Sequence, residues 1–155
     1  MIDSVGRYAI VISFGVVLIY LPVRFVPLLV RPSEIGGLQI AGVLIGITGV
    51  ALALWCASTF AVVGHGTPAP FAAPRRLVTR GPYKLLRNPM YVGVGGLFVG
   101  TALFYRSSVF LVYSVLFFLA SHLFVVLYEE PSLRRHFGGD YSDYCRRVGR
   151  WRPRL

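Results

Sequence analysis

Charge is concentrated in two islands in this chain, set among long hydrocarbon-like runs. Apolar runs extend from Tyr8 to Val30, Leu38 to Val63, Pro89 to Phe104 and Val109 to Tyr128. A bilayer core is crossed by about 20 apolar residues in a helix, so these runs predict four membrane spans. The expected fold is all-α, a polytopic membrane helical bundle of about four transmembrane helices. A loop over residues 64–88 and a C-terminal helical tail over 129–155 carry the charge. The whole chain, 1–155, reads as a single membrane domain.

Composition narrows the choice of solvent. Apolar residues make up 55% of the chain and charged residues 14%. A water-soluble fold would leave too much of that surface exposed. The net charge of +10 would suggest nucleic acid in a soluble protein. Here the arginines cluster beside apolar spans, as topology demands, so nucleic-acid binding is set aside. Cys56 and Cys145 give neither a disulfide framework nor zinc spacing, and no metal site is expected. No small-residue cleavage site ends the first run, which reads as a retained helix bent by Pro22 and Pro27.

Orientation follows from the basic residues. The loop carries Arg75, Arg76, Arg80, Lys84 and Arg87 with no acid, and the tail carries seven arginines against four acids. Both belong on the cytoplasmic side of an inner or cytoplasmic membrane, as does the N-terminus. Gly42-x-x-x-Gly46 and Gly96-x-x-x-Gly100 predict close helix approach and leave room for a homodimer. Gly93-Val-Gly-Gly96 is no dinucleotide fingerprint, because no βαβ pattern surrounds it.

The polar islands hold the candidate chemistry. Glu129-Glu130 ends the last span, where adjacent like charges need cations or a cationic ligand to balance them. His122 precedes Glu129 by two helical turns, which places both on one helix face. A histidine at membrane depth is a functional candidate, although one interhelical hydrogen bond would also explain it. In Arg87-Asn-Pro-Met-Tyr91, Pro89 drives Asn88 towards an extended conformation and opens a helix with unpaired first-turn amides. Arg87 offers a planar fork for a carboxylate.

Five segments occur in order: Gly64-His-Gly-Thr-Pro-Ala-Pro70, Leu77-Val-Thr-Arg-Gly-Pro-Tyr83, Arg87-Asn-Pro-Met-Tyr91, Glu129-Glu130-Pro-Ser-Leu133 and Phe137-Gly-Gly-Asp-Tyr141-x-x-Tyr144. Val148 and Arg150-Trp-Arg-Pro153 follow. This pattern resembles the integral membrane methyltransferases of the isoprenylcysteine carboxyl methyltransferase and phospholipid methyltransferase group. The resemblance implies an S-adenosylmethionine pocket at the cytosolic face. It puts Tyr83, Leu86, Arg87, Asn88, Pro89 and Tyr91 on the loop side and Tyr128, Glu129 and Glu130 on the helix side. Histidine often stands before the proline in that group. Asn88 cannot titrate near neutral pH, so it is assigned to cofactor binding alone.

The chemistry of the cofactor fits such a site. A carboxylate attracts the sulfonium more strongly as water is excluded, and an arginine pairs with the amino-acid carboxylate. Methyl transfer then asks mainly for alignment and dryness. Arg87, Glu129 and Glu130 are the candidate catalytic or charge-positioning residues. The expected acceptor is a lipophilic molecule or a lipid-modified one, reached from among the membrane lipids. An isoprenoid acid, a thiol and a phospholipid amine all remain open. The rival reading is a non-catalytic membrane scaffold or lipid-binding protein of the same fold.

Overall fold

The computed structural model describes residues 35–64 and 76–154. The apolar run over 8–30 and the Gly64-to-Pro70 segment beyond its first glycine lie outside them. The described residues are all helical, without strands. Helix α1 spans Gly37–Gly64, α2 spans Pro89–Phe104 and α3 spans Ser108–Phe124. A π-helical turn, Val125–Glu129, carries α3 without a break into α4, Glu130–Arg147.

Helix ends follow local chemistry. Pro89 occupies the first turn of α2, where its missing N–H is no loss. The Ser107 side chain accepts from Phe110 N and caps α3. Gln39 folds back so that its Oε1 accepts from Gly36 N at 3.0 Å, ahead of α1. The Asn88 backbone lies at φ −125°, ψ 51°, short of the extended region expected before a proline. Its side chain is instead drawn towards the tail, where Nδ2 donates to Arg150 O at 3.4 Å.

Helices α1 and α2 pack antiparallel with their backbones in contact. A Cβ on Gly49 would come within 2.5 Å of Gly93 O, and one on Gly42 within 2.6 Å of Gly100 O. The contact register is therefore Gly42 and Gly49 against Gly100 and Gly93. The close approach expected at Gly42-x-x-x-Gly46 is present, since a Cβ on Gly100 would come within 2.6 Å of Gly46 N, and the partner motif is tight at Gly100 but not at Gly96. A Cβ on Gly46 would meet nothing within 4 Å, and one on Gly96 would make only ordinary contact at 3.4 Å. An antiparallel pair keeps its seam over seven-residue steps, so the tightest positions recur at that interval. Gly42 and Gly100 are thus engaged within the chain. Helix α3 joins through Phe98, whose ring meets Tyr113 and Phe117 edge-on at 5.2 and 5.0 Å.

Among the described residues, two helices are long and apolar enough to cross a membrane, with α2 a shorter apolar companion. Their apolar windows are only 22% and 28% buried, unlike the core helix of a soluble protein. The helical run Ser108–Arg147 has 40 residues and is interrupted by non-helical backbone at Gly138. At 1.5 Å per residue, even the part before Gly138 is longer than the roughly 30 Å hydrocarbon core. Only its apolar first half fits in lipid, and the acids at 129 and 130 stand at the exit.

Beyond Glu130 the helix bends at Gly138, whose φ of 53° suits a residue without Cβ. Its apolar face does not lie on lipid. Tyr141, Tyr144 and Val148 are buried together, against Leu77, Leu133 and Phe137.

Candidate active site

The two polar islands meet. The loop ends in a short 3-10 turn, Gly81–Lys84, which buries Tyr83 against Cys56 of α1. The Tyr144 hydroxyl donates to Tyr83 O at 2.7 Å, tying α4 to the loop. Burial, then the nearby Cys56, Glu129 and Tyr144, pushes the Tyr83 phenol far above its ordinary value, so it stays neutral. Immediately downstream, Leu86 forms a parallel bridge with Gly149. Arg87 N donates to Gly149 O at 2.9 Å. The last residues of the chain thus lie against the start of α2.

Glu130 is the keystone of this junction. Arg150 grips it bidentately, Nε to Oε1 at 2.6 Å and Nη2 to Oε2 at 2.9 Å. Arg87 Nη1 stands 3.0 Å from Oε1 and also donates to Cys145 Sγ at 2.7 Å. Burial raises the Glu130 carboxyl, but the Arg150 hydrogen bond and the Arg87, Arg150 and Arg134 charges outweigh it. The group is held below the usual carboxylate range.

Glu129 has a different fate. Its Oε2 accepts from the Tyr91 hydroxyl at 3.2 Å, and no cation stands within pairing distance among the described residues. Burial pushes its carboxyl up to about 7, opposed by the Tyr91 hydrogen bond and assisted by the Glu130 charge. The π-helical turn accounts for this division. Its wider turn breaks the 3.6-residue period, so seven-residue spacing no longer keeps His122 and Glu129 on one face. Glu129 meets α2, whereas His122 and Glu130 both meet the tail, through Trp151 and Arg150.

The fit of a zwitterionic cofactor can be tested on two atoms. Arg87 Nε is buried with no hydrogen-bond partner among the described residues, a donor short of an anion. Glu129 is a carboxylate short of a cation. An amino-acid head and a sulfonium would answer both.

Of the residues singled out from sequence, Leu86, Arg87, Asn88 and Glu130 converge with the tail, Pro89 opens α2 behind them, and Tyr91 pairs with Glu129. Tyr83 joins through Tyr144. Tyr128 lies apart, 42% exposed with its ring tilted against Phe124 at 5.3 Å. Arg150, Trp151 and Gly149 were missed as site residues. The available signal was charge parity: a buried acid that must not stay unpaired calls for cations within its reach.

The model of the phospholipid methyltransferase family matches residues 38–140, more than half of the chain. The chain belongs to this family. It is accordingly a membrane protein of a methyltransferase family, consistent with its exposed apolar helices. No curated protein and no solved structure matches it. The family match ends at residue 140, so Arg150 and Trp151 enter the junction of this phospholipid methyltransferase family member from beyond the matched segment.

Proposed function

We propose that this chain is an S-adenosylmethionine-dependent methyltransferase acting on a lipophilic or membrane-partitioned acceptor. The observation that carries the reading is the complementary pair at the membrane edge: the unpartnered Arg87 Nε and the cation-free Glu129 carboxylate. S-adenosylmethionine, when bound, supplies a methyl group made electrophilic by its sulfonium. Arg87 and Asn88 would hold the polar head of the cofactor, and Tyr91 and Tyr83 would bound its apolar faces. Glu129 would face the positive charge, which gains Coulomb energy as water leaves. Glu130, already paired by Arg87 and Arg150, keeps loop and tail together and acts through them.

Alignment and exclusion of water are then the main catalytic tasks. A basic Glu129 is also positioned to accept a proton from a thiol or amine acceptor. A cytosol-facing cofactor site beside lipid-facing helices suits an acceptor that enters from the bilayer.

A non-catalytic scaffold is the second reading. It is favoured by the Arg87–Glu130–Arg150 network, in which the Glu130 carboxylate is fully paired without a ligand. Calorimetric titration of detergent-purified protein with S-adenosylmethionine separates the two. Saturable binding followed by label transfer supports the enzyme, and the labelled fraction (lipid extract, protein or volatile product) identifies the acceptor. No binding supports the scaffold.

A further inference from the structure

Trp151 lies beyond α4, yet its indole reaches back to two membrane helices at once. Nε1 donates to His122 Nδ1 on α3 at 3.0 Å, and the ring meets Tyr91 of α2 edge-on at 6.3 Å. His122 sits on the seam of α3. Ser121 and Val125 beside it are fully buried, whereas Leu119 and Leu123 are about half exposed on the outer surface. Because Nδ1 accepts, the neutral ring carries its proton on Nε2. Among the described residues, the hydrogen bond of the ring is the one at Nδ1, and Nε2–H donates to no side chain or carbonyl. An unanswered donor in hydrocarbon is costly, and intramembrane histidines mark functional positions. His122 precedes Glu130 by eight residues, roughly 12 Å deeper into the bilayer.

We propose that His122 is a positioning residue for the methyl acceptor. Its Nε2–H donates to an oxygen of a bilayer-borne acceptor (ester, phosphoester or carboxylate) that arrives from the lipid alongside α3. Trp151 fixes the tautomer that makes this possible. The inference rests on the methyltransferase reading and adds the face from which the acceptor arrives and the group that orients it.

The test uses full-length protein in detergent with labelled S-adenosylmethionine. One arm offers phosphatidylethanolamine–phosphatidylglycerol vesicles, and the other offers phosphatidylcholine vesicles doped with a C15 isoprenoid carboxylic acid. His122→Asn keeps an oxygen near Nδ1 for the indole but loses the outer donor, whereas His122→Gln places an amide N–H near Nε2. We expect His122→Asn to raise KM for the methylated acceptor tenfold or more, with the Kd for S-adenosylmethionine within twofold of wild type. His122→Gln should recover most of that loss, which a purely structural latch would not produce. An acceptor KM within twofold of wild type in His122→Asn overturns the assignment, as does an equal loss of cofactor affinity. Wild-type protein that binds the cofactor but methylates neither acceptor also overturns it. Wild-type protein that binds no cofactor instead sinks the methyltransferase reading beneath it.

Discussion

Two neighbouring acids take opposite roles because their surroundings differ. Glu130 is ringed by guanidinium groups and Glu129 by a phenol. Glu129→Gln should therefore weaken S-adenosylmethionine binding at least tenfold and, by removing a carboxyl whose ionisation the fold disfavours, should raise the melting temperature of the apo protein near neutral pH. Glu130→Gln should lower stability by up to about 3 kcal/mol, because it leaves buried Arg87 without its counter-charge. Thermal melts and cofactor titrations of both variants read the two effects separately. Proton linkage gives a second check. Glu129 is raised from 4.5 to about 7, so the apo protein is penalised as pH climbs through that window and the unfolded chain ionises first. Glu130 is lowered, so its contribution is present at neutral pH and fades as pH falls below about 4.5. A cation placed against Glu129 must expel its proton. At pH 6.5, cofactor binding should release a substantial fraction of one proton, seen as unequal heats in phosphate and Tris, and Glu129→Gln should abolish the difference.

At the scale of the helix, much was written in the sequence and some was hidden by periodicity. Pro89 announced the start of α2, and the unbroken apolar runs announced all-helical structure. The register of the glycine seam was not legible, because Gly42, Gly46 and Gly49 are equally small and only the partner's position selects among them. Gly49→Ala should cost about 1–3 kcal/mol, since its methyl would collide with the backbone of α2. Gly46→Ala should leave the melting temperature almost unchanged. If the two variants melt alike, the register is wrong. The π-helical turn was equally hidden: Val125-Val-Leu-Tyr128 is an ordinary apolar stretch without the glycine or proline that would mark a change of pitch.

For the molecule as a whole, the candidate site is a closure between the middle of the chain and its end. Arg87 and the Glu pair were readable as site residues because charge at a membrane edge is conspicuous. Arg150 and Trp151 were not, since one arginine among seven in a basic tail looks like topology until its partner is known. Deletion of residues 149–155 should remove Arg150 and Trp151 together and abolish cofactor binding. The truncated protein should still resist carbonate extraction from membranes, because the apolar helices do not depend on the tail for insertion. Retained binding would show that the tail is dispensable.

The widened turn between lipid and water also sets a phase. Everything C-terminal to it is rotated relative to the bundle by the one residue that an ordinary helix would not accommodate. Excising a single residue from 125–128 would restore the ordinary pitch and leave both acids at their present bearings, because a π turn is how a helix absorbs one extra residue. The pocket would thus tolerate one lost codon here, whereas the same loss earlier in α3 would swing both acids round by about 100° and part them from their partners.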